Sequence, residues 1–362
     1  MAFNTSNVDT DLHKANGLRS SNFELSHLKR NHTKKSETTL FRLKDRPIAV
    51  VQWQHYIEQK IGFVLPKEQS QWLLNAIENT ATENNLSVAE LWDAIQTNSK
   101  LNQQLLDTVL IPESRFFRHE PSIEFITSLA GQYCAHLRQD TTEDHSNDSV
   151  KSSADSSTGV FRIWSVGCAT GQEVWSLAMS LAAQNISNYM LLGSDVSRKA
   201  LTKARKGQYD QRQRKLIPSA YQRFFTQSLA VTDQNDTQAT SQHRASTTDQ
   251  ALPKLHLDKP LPNQSPAYWR VVPELHERVS FIWHNIFTQG LATLHLQQVI
   301  VCQNVLIYFR QFDQRDILTR LSAQCALGGY IILAPGEALF WRPSNMRRIA
   351  HPQVNAWQKI SA

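Results

Sequence analysis

Residues 162–181 read RIWSVGCATGQEVWSLAMSL. A β-prone apolar run stops at Gly167, and after CATGQE the apolar spacing becomes that of a helix. Gly167 and Gly171 allow a tight strand-to-helix turn and a close approach of backbone to a ligand, and the helix that follows offers its N-terminal N–H groups to something polar. The Gly-x-x-x-Gly spacing lacks the middle glycine of the G-x-G-x-x-G dinucleotide fingerprint, so a ligand loop and a purely structural turn both remain readings of it.

Outward from this turn the alternation continues. FRIWSV (161–166) reads as a strand, EVWSLAMSLAAQ (173–184) as a helix, YMLLGSD (189–195) as a strand and SRKALTKARKGQY (197–209) as a helix. Farther on, VSFIWHN (279–285) and QQVIVCQNVLIYF (297–309) read as strands, the second running into a turn, QRDILTRLSAQCALGG (314–329) as a helix and YIILAP (330–335) as a strand. Continuous apolar strands alternating with amphipathic helices predict a doubly wound α/β domain, its mostly parallel sheet covered on both faces. Ligands of such sheets sit beyond the carboxyl ends of the strands. Asp195 ends the strand after the glycine turn, about twenty residues on, where an acid meets the ribose hydroxyls of a nucleoside; it is equally an N-cap for the helix near Ser197.

Ahead of this domain, residues 47–111 carry helical spacing: Trp53, Ile57 and Ile61, then Trp72, Leu73 and Ile77, then SVAELWDAI (87–95) with Ser87 three residues before Glu90 as a capping box. Residues 112–138 form a linker and helix. Residues 1–46 are a polar tail too poor in large apolar groups to fold, and 139–158 is an acidic, Ser-rich insert of the same kind. A second polar stretch begins near Thr226 and interrupts the α/β domain at 159–362.

The 362 residues and 41% hydrophobic content supply a real core. With no long apolar run and no apolar segment in the first twenty residues, the chain is expected to be cytoplasmic, without membrane insertion. Cys134, Cys168, Cys302 and Cys325 lie far apart without metal-ligand spacing, so reduced, partly buried thiols are expected and no metal. The net charge of +6 could draw nucleic acid or an acidic protein, but the basic residues read as spread along the chain.

Six collinear segments carry a resemblance: ESRFFRHEPSIEFI (113–126), RIWSVGCATGQEVWSLAM (162–179), GSDVSRKALTKARKGQY (193–209), VSFIWHNIF (279–287), VIVCQNVLIYF (299–309) and GGYIILAPGEALFW (328–341). In order and spacing they resemble the CheR family of S-adenosylmethionine-dependent chemoreceptor glutamate methyltransferases, and the long tail, large insert and basic balance resemble its pilus-associated, PilK-type branch. The resemblance implies a Rossmann-like methyltransferase sheet, a small all-helical N-terminal domain and an inserted small antiparallel β-subdomain over 226–279, an arm that in some members grips a receptor tail peptide. It implies S-adenosylmethionine as cofactor, S-adenosylhomocysteine as product, the cytoplasmic part of a methyl-accepting chemoreceptor as partner, and action as a monomer in chemosensory or type IV pilus (twitching) signalling.

By the same resemblance the turn at Gly167 and Gly171 cradles the methionyl part of the cofactor and Glu173 contacts its ammonium. Asp195 holds the ribose, Asn285 with Ile286 flanks the adenine, and Gln303 and Asn304 lie beside the cofactor. Ser114 and Arg118 close over the site, and Tyr308 sits close to the methyl group. Arg118 and Tyr308 are the implied catalytic residues, Arg118 either clamping the methionyl carboxylate or guiding the incoming glutamate. Each has a plainer reading as well: Phe116 and Phe117 as core aromatics anchoring Arg118, and Tyr308 as a packed tyrosine. A glutamate is already ionised at pH 7, so the chemistry asks for alignment and desolvation rather than for a base. The chain departs from the family at Pro112, where asparagine is usual, at Ser114 for threonine, and at Gln303 for arginine, which keeps hydrogen bonding and loses charge. These departures motivate a second reading, a cofactor-binding scaffold without catalysis. A nucleic-acid methylase would need a Pro-Pro-Tyr-like element and a basic stripe with aromatics, and a nicotinamide dehydrogenase the third glycine.

Overall fold

The computed structural model describes residues 47–65, 70–110, 113–140, 159–228, 268–288 and 293–361. The polar tail, the acidic insert beyond its first two residues, the middle of the second polar stretch and Pro112 lie outside the described residues.

Four helices come first: α1 (Pro47–Ile61), α2 (Ser70–Glu83), α3 (Val88–Thr97) and α4 (Ser99–Val109). Their apolar stripes meet in one cluster that includes Trp53, Ile57, Leu73, Ile77, Leu91 and Leu105. The capping box is formed: Ser87 Oγ accepts the Glu90 N–H at 3.2 Å and Glu90 Oε2 accepts the Ser87 N–H at 2.7 Å. Asn98 then ends α3 and caps α4, its Oδ1 accepting from the N–H groups of Lys100 and Leu101. Helix α5 (Glu120–Asp140) leads into the second domain and ends two residues inside the stretch read as polar insert.

That domain is built on β1 (Phe161–Val166), β2 (Tyr189–Asp195), β6 (Val279–Trp283), β7 (Gln297–Cys302), β8 (Cys325–Leu333), β9 (Met346–Arg348) and β10 (Asn355–Lys359). Their order is β6-β2-β1-β7-β8-β10-β9, with the first five parallel and β10 antiparallel to both β8 and β9. Helices α6 (Gln172–Ala183), α7 (Arg198–Lys206) and α8 (Gln311–Gln324) connect them. Alternation along each strand feeds two cores. Ile163, Val299, Val301 and Ile332 join a cluster with α5, α6 and α7, whereas Trp164, Val166, Ile300, Ile331 and Leu333 join another with Ile317, Leu318 and Leu321 of α8. The sheet is thus covered on both faces, as the continuous apolar strands predict.

Two expectations change. The helix read over 314–329 stops at Gln324, and Cys325 already begins β8, whose pairing with β7 carries an irregularity between Gln297 and Val299. The antiparallel pair β9 and β10 was not legible, because its short strands mix polar and apolar residues without a long run. A second, three-stranded antiparallel sheet has the order β3-β5-β4, from β3 (Gln208–Tyr209), β5 (Tyr268–Val271) and β4 (Phe225–Ser228). Its first strand follows directly on α7, ahead of the stretch read as inserted.

Candidate active site

Parallel order reverses at β1, which has β2 on one side and β7 on the other, so the crevice beyond the ends of β1 and β7 is where a ligand belongs. The bend that leaves β1 holds Gly167, Ala169 and Gly171 all at positive φ, of 66°, 48° and 90°. A Cβ on Gly167 would fall 2.4 Å from Val305 Cγ2, so both backbone angle and proximity require glycine there. The loop is tied down by Asp195, whose Oδ2 accepts the Ala169 N–H at 2.8 Å. Its Oδ1 accepts the Ser197 N–H at 2.8 Å, while Ser197 Oγ caps α7, so the capping task falls mainly to the serine.

Arg118 arrives from the other side. Phe116 packs edge-on against Tyr209 at 4.8 Å, and Phe117, at φ 51°, stacks on Tyr221 at 4.5 Å with its N–H donated to Ser176 Oγ. Both are buried, and the left-handed turn between them and α5 brings Arg118 to the crevice. Its Nη1 donates to the Glu113 carbonyl at 3.4 Å.

The crevice has two halves that share Glu113, Gly167 and Asn304. The first, a cavity of about 50 Å³, is charged and lined by Ser114, Arg118, His119, Cys168, Glu173 and Gln303. The second, about 120 Å³, is more apolar and is lined by Phe63, Asp195, Asn285, Ile286, Tyr308 and Phe309 among others. Of the residues named from sequence, all except Gly171 line one half or the other. Gly171 sits behind the cleft, where a Cβ would meet Ala204 Cβ at 2.8 Å, and its carbonyl accepts the first helical N–H, that of Trp175.

Several side chains at the cleft are already engaged. Asn285 Nδ2 donates to the Lys60 carbonyl at 2.8 Å and its Oδ1 accepts the Phe287 N–H, which ties the loop after β6 to the end of α1. The Tyr308 carbonyl accepts the Val64 N–H at 2.9 Å, and its ring lies 4.6 Å from that of Phe63. Gln303 Nε2 donates to Ser122 Oγ at 2.9 Å and to the Leu333 carbonyl at 3.3 Å, so the amide that stands for the expected arginine is used inside the protein. Asn304, at φ 59°, donates its N–H to Glu337 Oε2, which also accepts from Ala334.

Sequence reading missed Glu113, His284 and Glu337. Glu113 joins the two halves; His284 is buried in the second, and Glu337 is a buried carboxylate behind Asn304. Nothing in the local pattern marks them, since each owes its place to the packing of remote loops.

Burial pushes Glu173 up to about 7, opposed by the Ser165 hydroxyl, which donates to its Oε1 at 2.8 Å, and by Arg118, and reinforced by Glu337. Burial also raises Asp195, opposed by backbone N–H donors, chiefly those of Ser197 and Ala169, and raises Glu337 and Tyr308. The free thiols of Cys168 and Cys302 are buried and pushed well up, in keeping with inert, reduced cysteines.

Residues 113–245 and 232–354 match the CheR methyltransferase, SAM binding domain, so that well over half of the chain is covered. The chain belongs to the CheR methyltransferase family. It is 25% identical over 309 residues to a chemotaxis protein methyltransferase of Pseudomonas putida (82% of this chain, 93% of the relative). It is 26% identical over 306 residues to another from Pseudomonas aeruginosa (81% and 91%), and 28% identical over 200 residues to that of Escherichia coli (54% and 57%). Within this CheR methyltransferase the matched SAM binding domain contains the glycine bend, both acids and Arg118. Their donor set fits S-adenosylmethionine: carboxylates for an ammonium and a diol, a guanidinium for a carboxylate, and an apolar wall for a base. Among the described residues no helix is long and apolar enough to cross a membrane.

Proposed function

We propose that this protein methylates the side-chain carboxylate of glutamates on the cytoplasmic part of a chemoreceptor. The observation that carries this reading is a cleft at the sheet's switch point with Glu173 and Arg118 in one half and Asp195 in the other, Gly167 lying between them. Bound there, S-adenosylmethionine would supply an electrophilic methyl group on a sulfonium. Glu173 holds the ammonium end, since a buried anion gains most from a fixed cation beside it. The Asp195 oxygens, each with a lone pair left after accepting one N–H, take the ribose hydroxyls. Ile286, Phe63 and Tyr308 form the walls around the base. Gly171 acts through the turn alone.

An acceptor glutamate is ionised at neutral pH, so the cleft need only orient it and exclude water. Arg118, exposed at the charged mouth, offers two parallel N–H donors to one carboxylate, and Tyr308 borders the space between the halves. The chemoreceptor as substrate is supported by the names of the relatives. The narrower reading, service in type IV pilus signalling, rests on the polar tail, the large insert and the basic balance; unchanged twitching in a deletion strain would remove it.

Incubation with labelled S-adenosylmethionine and receptor-enriched membranes tests the activity: base-labile methyl esters are expected. Cofactor binding by calorimetry without any transfer would favour the scaffold reading that Gln303 motivates.

A further inference from the structure

The basic charge is not spread evenly. Residues 198–223 hold nine lysines and arginines against one acid, Asp210, a net +8 where the whole chain has +6. In the structure this run is α7 and the turns that follow it into the small sheet. Helix α7 buries Ala200, Leu201 and Ala204, which leaves Lys199, Lys203 and Lys206, four and three residues apart, on one exposed face about 10 Å long. Arg212 and Lys215 continue the exposed row beyond β3. No carboxylate forms an ion pair with any of these five among the described residues. The α7 end nearest the cleft is fixed to it, because Ser197, the cap, and Asp195 both line the apolar half.

We propose that this face of α7 docks an acidic helical segment of the protein that carries the acceptor carboxylate. The proposal rests on the reading of the protein as a methylase of protein glutamates. Two observations select this partner. Acidic side chains at i, i+4 and i+7 of a helix repeat the spacing of the three lysines, so one helix can satisfy all three. Three aromatic rings beside this run that could stack nucleobases already carry guanidiniums: Arg214 lies 3.7 Å from the Trp269 ring centroid, Arg198 4.9 Å from that of Trp283 and Arg223 4.9 Å from that of Phe224. A lipid surface would find no apolar stripe to accept, since that side of α7 is buried in the core. Helix α2, SQWLLNAIENTATE, has no basic residue, so a partner laid along that helix would find no such attraction.

The test compares full-length wild type with Lys199→Glu/Lys203→Glu/Lys206→Glu. The probe is a synthetic helical peptide with glutamates at i, i+4 and i+7, beside the same peptide with glutamines, followed by fluorescence anisotropy at low and high salt without cofactor. The wild type is expected to bind the glutamate peptide at least about tenfold more tightly than the glutamine peptide, and to weaken with salt; the triple variant is expected to lose about tenfold and most of the salt dependence. S-adenosylmethionine affinity stays unchanged in the variant, which certifies its fold and separates this proposal from the assignment of the cleft. Equal peptide binding by both proteins overturns the proposal. So does binding of duplex DNA, or of phosphatidylserine vesicles, that is tighter than peptide binding and lost in the variant.

Discussion

In the charged half of the cleft Glu173 holds one hydrogen bond, from Ser165, and Arg118 one long one, to the Glu113 carbonyl, so most of their polar capacity faces the open space. In the apolar half Asn285 and Asp195 have committed atoms to the backbone of Lys60, Phe287, Ala169 and Ser197. On the proposed function, the first half would recognise by charge. The second would recognise by a shape that its own hydrogen bonds hold, and a polar side chain there would act on the ligand partly through the loop it fixes. Mutations should therefore separate binding from catalysis on one side and mix binding with stability on the other.

The largest effect is expected at Arg118. Arg118→Ala should lower methyl transfer about 10²- to 10³-fold, the usual consequence of removing a donor aimed at a reacting group. If Arg118 guides the acceptor, calorimetry will show cofactor affinity within a few-fold of wild type. If it clamps the methionyl carboxylate, affinity falls in step with the rate. An unchanged rate would place Arg118 outside methyl transfer altogether.

Asp195→Ala should come next, with cofactor affinity reduced about ten- to hundredfold, because it removes both an ionised acceptor and the anchor of Ala169. The mixed character of this half predicts that melting temperature falls as well. Loss of affinity with no loss of stability would make Asp195 a pure ligand group.

Much of this was legible in the sequence. The glycine bend and Asp195 stand at the ends of strong strand patterns, so local periodicity marked them, whereas the role of Glu173 was implied by the family resemblance. What the sequence hid is long-range: Asn285 meets Lys60 across 225 positions, and Glu337 reaches Asn304 only because β7 and β8 are neighbours. The α7 charge was visible but diluted, since counting over the whole chain sets it against acids elsewhere. Gly171 was drawn into the site by its proximity to Gly167, yet it serves the helix start and the packing on Ala204.

A smaller, pH-dependent effect distinguishes Glu173. Its folded value of about 7 lies above the ordinary value near 4.5, so the folded protein prefers the carboxyl protonated. The stability it contributes is fully present below about pH 4.5 and is lost as pH rises through about 7; with a pocket wall partly open to solvent, the loss is on the order of 2 kcal/mol. Cofactor affinity runs oppositely, because an ammonium needs the ionised form: it should fall about tenfold per pH unit below about 7. Glu173→Gln should flatten that profile and melt higher than wild type at pH 8. A pH-independent wild type would detach Glu173 from cofactor binding.

Asn285→Ala should give the smallest change in affinity, and it decides most directly whether the apolar half works by shape. The Asn285 amide joins the end of α1 to the loop after β6, so its loss removes about 1 kcal/mol for each hydrogen bond and lets the Lys60 and Phe287 segments part. Cofactor affinity is then expected to weaken about fivefold together with the melting temperature, with no change in preference between the adenine cofactor and its hypoxanthine analogue. A variant that folds with wild-type stability yet loses that preference would make Asn285 a reader of the base. The strap between α1 and the β6 loop would then serve recognition, because one N–H of the amide donates to the Lys60 carbonyl and so fixes the direction of the other toward the base.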